Sequence, residues 1–319
     1  MRLLTVLGLI VLLAIVAYRC WFLSQQDGEP VIEDTGVATE EVEEAGTAER
    51  FVDIAGARVR VREEGPADAP VILLLHGFTF SLESWDGWAD ELSDRYRIIR
   101  YDLLGHGLTG PDPLERYAPE ERAQFVGEVM DALGIERAIV GGNSLGGLAA
   151  WRFAAMQPER VEALLLVSPG GYPINGVGDE PAEVPGAFAF YLQTVPEAGL
   201  RASIANIYGD PSKVSEERIK VLGDMMRQEG NGAAMVRSLE EFTLPDPEPD
   251  LAKVTAPTLI LWGDADKVIS PAQADLFIAA MPNAQLITYP GVGHVAHEEM
   301  PARTAADVAA FLSEQEREQ

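Results

Sequence analysis

Cysteine occurs once in the 319 residues, at Cys20, so no disulfide can close within the chain and no cysteine-rich zinc centre can be built. Histidine is scarce too. His76, His106, His294 and His297 are the full set, which keeps the search for a catalytic base short. Lysine is confined to Lys213, Lys220, Lys253 and Lys267. All cations together number 24 against 51 acids, a formal net charge of −27. A surface of that sign repels phosphate backbones and argues against nucleic acid as a partner. It accords with solubility or a salty medium, and it favours neutral substrates over anionic ones.

What the chain does have begins with an apolar run over residues 3–23, in which Arg19 is the only charge. A helix of about 20 residues spans the ~30 Å hydrocarbon layer, so the run fits a transmembrane anchor. Arg19 would snorkel to the headgroups beside Tyr18 and Trp21. A cleaved signal peptide is the rival reading, since Arg2 precedes the apolar run; but no A-x-A site follows, and the run is long for an h-region. Residues 24–49 hold nine acids and no base, the composition of a solvated tether. With Arg2 and the amino terminus on the positive side, the remainder lies outside the cytoplasm, membrane-anchored or, after cleavage, secreted.

From Arg50 onward strands alternate with helices. Phe51–Ile54 and Arg58–Arg62 read as strands paired about Ala55-Gly56. Apolar runs at Val71–Leu75, Arg97–Tyr101, Ala138–Gly141, Ala163–Val167, Pro257–Trp262 and Gln285–Thr288 fit strands buried on both faces. A helix over Pro119–Leu133, ended by Gly134, lies between two of them. The pattern predicts a mostly parallel, doubly wound α/β sheet for residues 50–171 and 251–319. Residues 172–250 break the alternation. They carry helical pieces at Ala187–Thr194, Val214–Gln228 and Ala233–Phe242, expected to lie as a cap over the strand ends.

Gly142-Asn143-Ser144-Leu145-Gly146 directly follows the strand at Ala138–Gly141 and precedes a helix, the context a nucleophile elbow needs. The glycines permit the tight turn and leave the Ser144 hydroxyl exposed. His294, flanked by glycine after the last strand, is the expected base, and His297 is read as a structural, hydrogen-bonded histidine. Asp264 and Asp266 both follow the strand at Pro257–Trp262. Asp266, further along the loop, is the expected acid, and Asp264 is expected to cap the following turn or helix. The order Ser144, Asp266, His294 is one of several that such triads take. The backbone N–H groups of Phe78, in His76-Gly77-Phe78, and of Leu145 are the expected oxyanion hole. His76 reads as a structural brace for that loop.

Those segments, together with Tyr101-Asp102-Leu103-Leu104-Gly105-His106-Gly107, Trp262-Gly263-Asp264-Ala265-Asp266 and Gly293-His294 with Glu299 and Pro301 downstream, resemble the α/β-hydrolase superfamily over residues 50–319. The resemblance implies a serine hydrolase acting on small-molecule esters through an acyl-enzyme, without metal or organic cofactor. It also implies that Asp102 and His106 belong to a structural loop. Gly142–Gly147 with Pro169-Gly170-Gly171 is similar to hydrolases that cleave C–C bonds in ring-fission products. That reading, and a non-catalytic binding protein on the same fold, are the alternatives. Serine at the elbow, rather than aspartate, argues against haloalkane dehalogenases and epoxide hydrolases.

Overall fold

The computed structural model describes residues 47–318. The anchor expected over 1–23, Cys20 and the tether up to residue 46 lie outside the described residues. Among the described residues no helix is long and apolar enough to cross a membrane.

Strands β1 (Thr47–Ile54) and β2 (Ala57–Glu64) form an antiparallel hairpin. Both turn residues, Ala55 and Gly56, have positive φ (47° and 89°), the backbone a two-residue turn needs to match the twist of its strands. β1 starts earlier than expected: Thr47, Ala48 and Glu49, assigned from sequence to the tether, pair with Glu64, Glu63 and Arg62. The Glu49 carboxylate accepts from Arg60 Nε at 2.9 Å and Arg62 Nη2 at 2.6 Å. Cross-strand ion pairs hold this end of the sheet, and acidic composition alone reads them as solvated.

Six further strands follow: β3 (Val71–Leu75), β4 (Arg97–Tyr101), β5 (Ala138–Asn143), β6 (Val161–Val167), β7 (Thr258–Gly263) and β8 (Ala284–Tyr289). The order across the sheet is β1-β2-β4-β3-β5-β6-β7-β8, and β3 to β8 run parallel. Strand side chains alternate faces, and β3 shows why its run is apolar throughout. Leu73 and Leu75 enter one core with helices α2 (Pro119–Ala132), α3 (Leu145–Met156) and α9 (Gln273–Ala280). Ile72 and Leu74 enter the opposite core with α1 (Asp86–Leu92) and α10 (Pro301–Glu318). Each sheet face is thus covered by helices, as a parallel sheet requires.

Between β6 and β7 lie four helices of eight residues or more and no strand: α4 (Gly186–Thr194), α5 (Glu197–Ile207), α6 (Glu216–Met226) and α7 (Asn231–Glu240). A one-turn helix, α8 (Glu248–Leu251), leads into β7. α6 starts later than the sequence reading because Ser215 caps it, accepting from Arg218 N at 3.1 Å. α5 was not expected. Its apolar positions, Leu200 and Ile204, are one turn apart but sit among Ala and Gly, which blunts the periodic contrast. These helices share their own apolar cluster, with Leu192, Leu200, Ile204, Leu222 and Met235, and it takes in Phe80 and Val295 from the sheet side.

Candidate active site

β5 ends at Asn143 and α3 starts at Leu145, so Ser144 alone makes the strand-to-helix turn, at φ 53° and ψ −112°. A non-glycine residue there costs on the order of 1–3 kcal/mol and needs support. Ser144 N–H donates to Val167 O at 3.1 Å, and Ser144 O accepts from Leu148 N at 2.9 Å and Gly170 N at 3.0 Å. The flanking glycines answer to backbone crowding. A Cβ on Gly142 would stand 2.3 Å from Gly146 O, and one on Gly146 would stand 2.3 Å from Leu75 O. No side chain fits at either position. The geometry is that of a nucleophile elbow.

The loop after β3 passes beside this turn. A Cβ on Gly77 would lie 2.6 Å from Asn143 Oδ1 and 3.4 Å from Ser144 Cβ. Gly77 O accepts from Phe80 N at 3.2 Å, and Thr79 takes φ 66°, so Phe78 and Thr79 form the tip of a tight turn. Leu145 opens α3, where the helix ladder offers its N–H no partner. The loop that carries the first expected oxyanion donor, Phe78, therefore passes beside Ser144, and the second, Leu145, is the residue that follows it.

His76 fixes that loop. Its Nδ1–H donates to Gly77 O at 2.8 Å, and its Nε2 accepts from Leu103 N at 2.9 Å. Each nitrogen has one role, which requires the neutral ring. Burial lowers its pKa to about 4 in keeping with that role. The brace read from sequence is the arrangement found. Asp102 is likewise structural, accepting from Leu82 N at 2.8 Å and Leu108 N at 2.7 Å. A Cβ on Gly107 would meet its carboxylate at 2.1 Å. His106 packs edge-on against His76 and Phe78, with ring centroids 5.5 Å away in each case.

In the loops that follow β7 and β8, His294 Nδ1 and Asp266 Oδ2 are 2.8 Å apart, and both residues are buried. Asp266 Oδ1 accepts from Val268 N at 2.8 Å and Ile269 N at 3.0 Å, so both carboxylate oxygens are fixed. Asp264 differs from its sequence reading. Its Oδ1 accepts from Gly291 N at 2.6 Å, bracing the loop that carries His294 instead of capping the turn after β7. That contact joins residues 27 apart, beyond the reach of local turn rules.

Asn143 was missed. Its Nδ2 donates to Val167 O at 3.0 Å and to His294 O at 3.1 Å, joining the elbow to the histidine loop. Its position inside the G-x-S-x-G pentapeptide was the only available signal. His294 Nε2 has no hydrogen-bond partner among the described residues. Catalytic hydrogen bonds in unliganded sites are commonly long and tighten with a bound reactant. His297 does not reach the site. It is buried and packed against Trp85 at a tilt of 32°, with ring centroids 4.0 Å apart. Neither of its ring nitrogens finds a partner among the described residues, so it is structural by packing, not by the hydrogen bond expected. Among the described residues no three His, Cys, Asp or Glu side chains converge to hold a metal ion.

A family model for the alpha/beta hydrolase fold matches residues 70–301, and the chain belongs to this family. Lipase 3 from a Moraxella species is 32% identical over 247 residues, 75% of this chain and 76% of that one. The dihydrolipoyllysine-residue acetyltransferase component of an acetoin cleaving system from Cupriavidus necator is 31% identical over 262 residues, 81% of this chain and 67% of that one. Among solved structures, a meta-cleavage product hydrolase from Pseudomonas fluorescens superposes with a TM-score of 0.72 at 25% identity, covering 83% of this chain and 97% of that one. Family membership with lipase-named relatives supports hydrolase activity.

Proposed function

We propose that the protein hydrolyses carboxylic esters of small to medium, mainly apolar substrates through an acyl-enzyme on Ser144. The observation that carries this reading is the buried 2.8 Å contact between His294 Nδ1 and Asp266 Oδ2, in a loop that Asn143 Nδ2, one residue before the serine held at positive φ, ties to the elbow at His294 O. Asp266 keeps the proton on Nδ1, which leaves the Nε2 lone pair for the Ser144 proton. Ser144 Oγ attacks the carbonyl carbon while Nε2 takes that proton. The Phe78 and Leu145 N–H groups hold the oxyanion, each donor contributing ~3–4 kcal/mol in comparable sites. Collapse of the intermediate expels the alcohol, which leaves with the proton from Nε2. Water, deprotonated by the same nitrogen, then releases the acid.

Residues 172–250 act in this reading as the cap over the pocket. The apolar cluster of Phe80 and the α4–α7 helices favours an uncharged acyl or alcohol group, in line with the overall negative charge. The run at residues 3–23 serves as an anchor that keeps the folded part outside the cytoplasm. Turnover of p-nitrophenyl esters by the full chain, abolished in Ser144→Ala, is the expected result. The likeness to a meta-cleavage product hydrolase favours C–C cleavage as the second reading. Turnover of a vinylogous diketone exceeding that of simple esters would establish it in place of the first.

A further inference from the structure

Two adjacent glutamates beyond His294 are turned toward the α4–α7 insertion, and they hold different things. Glu298 takes side chains: Arg218 Nε at 2.9 Å, Arg218 Nη2 at 2.6 Å and the Tyr208 hydroxyl at 2.6 Å. Glu299 takes backbone. Its two oxygens accept from Gly209 N at 3.1 and 3.0 Å, from Asp210 N at 3.3 Å and from Gly293 N at 2.7 Å. One carboxylate thus gathers the corner that follows α5 and the residue immediately before the proposed base.

The two backbones it gathers touch directly. His294 N–H donates to Ile207 O at 2.7 Å. A Cβ on Gly293 would stand 2.3 Å from Ile207 O and 2.4 Å from Gly209 N, and one on Gly209 would stand 2.2 Å from Gly291 O. The sheet side holds the same loop through Asp264 to Gly291 N, Ala265 N to Val292 O at 2.9 Å, and Asn143 to His294 O. Those bonds leave the N–H groups of Gly293 and His294 unanswered. The insertion answers His294 N–H through Ile207 O, and Gly293 N–H goes to Glu299, whose other N–H partners, Gly209 and Asp210, belong to the insertion. Val295, the next residue, is buried in the insertion's own apolar cluster.

We propose that Glu299 is a positioning residue for His294: by joining the Gly293, Gly209 and Asp210 N–H groups on one carboxylate, it makes the orientation of the imidazole depend on the seating of the helical insertion. The insertion then does more than cover a pocket, because a shift of the α5 corner reaches the base through the Glu299 carboxylate as well as through the direct bond from His294 N–H to Ile207 O. The catalytic consequence rests on the ester-hydrolase reading, whereas the placement of the ring does not.

The test uses the full chain labelled with 15N-histidine, whose four imidazoles are few enough to resolve. In Glu299→Gln one acceptor becomes a donor facing backbone N–H groups. The His294 ring signals are expected to shift, while those of His76 stay unchanged. Glu299→Asp keeps the charge but is too short to span both segments. Persistence of the shift there assigns it to geometry rather than to a lost charge, and this variant also serves if the glutamine form fails to fold. On esters, kcat is expected to fall about tenfold with KM within about twofold. A folded variant whose His294 ring signals match wild type would overturn the proposal, as would a shift in Glu299→Gln that vanishes in Glu299→Asp. If wild type turns over no ester while the ring signals shift as stated, the ester reading fails and the positioning role stands.

Discussion

In Asp266→Asn one carboxylate oxygen becomes an NH2 group and the side chain keeps its size. The oxygen that remains can still accept from Val268 N and Ile269 N, at 2.8 and 3.0 Å in the native chain, so the loop after β7 keeps its shape. The position 2.8 Å from His294 Nδ1 turns from acceptor to donor. The imidazole must then carry its proton on Nε2, where it cannot receive one from Ser144. In triads of this kind the wrong tautomer costs about 10⁴ in kcat. At about 1.4 kcal/mol per decade, that is about 5–6 kcal/mol of transition-state stabilisation. The fold, exchanging one hydrogen bond for another, loses on the order of 1 kcal/mol. Activity should therefore collapse in a protein whose urea midpoint barely moves. The assay is kcat/KM on a p-nitrophenyl ester beside urea unfolding, with Asp264→Asn as comparison. That second variant keeps an acceptor for Gly291 N, so its rate should stay within about tenfold of wild type. The reasoning fails if Asp266→Asn, folded, retains more than about a tenth of wild-type turnover, or if Asp264→Asn is the more damaging change.

Gly146→Ala should destabilise by about 3 kcal/mol or more, because its Cβ would meet Leu75 O at 2.3 Å and His76 O at 2.5 Å, which are backbone atoms of a central strand and its exit. Thermal unfolding tests this, and a change in midpoint within error would contradict the crowding read at the elbow. Burial holds His76 down at about 4, and His106 and His297 are lowered the same way. Near pH 6.5 the unfolded chain takes up protons that these rings refuse in the folded state, so their stabilisation is complete above pH 6.5 and is lost as pH falls toward 4. For His76 the drop from the ordinary 6.5 to about 4 corresponds to about 3 kcal/mol. Urea midpoints should fall between pH 7 and pH 4.5, and His76→Gln, with no titrating ring, should flatten that slope; an unchanged slope would refute the neutral brace.

Local rules read most of the scaffold. Continuous apolar runs mark β3, β5, β6 and β7 because a parallel strand buries both faces, and the Ala55-Gly56 hairpin follows from its turn residues. The elbow was legible as well, since its demand for glycine comes from contacts within one strand–turn–helix unit. α5 was not legible, because small residues around Leu200 and Ile204 erase the apolar contrast. Nor was the start of β1, where charges that composition assigns to water are paired across a ladder.

By itself the sequence determined which residues could carry chemistry: one elbow serine, four histidines, two aspartates after one strand. Selection among them belonged to tertiary structure. Asp266 contacts His294 and Asp264 contacts Gly291 because the β7 and β8 loops meet at one edge of the sheet, and His297 is withdrawn by its packing against Trp85. The same holds for Asn143 and Glu299, whose partners lie on distant segments or on backbone N–H groups. A hydrogen bond to backbone demands no particular side chain from its partner, so it leaves no pattern in the sequence at the other end, and only the folded chain brings the two together.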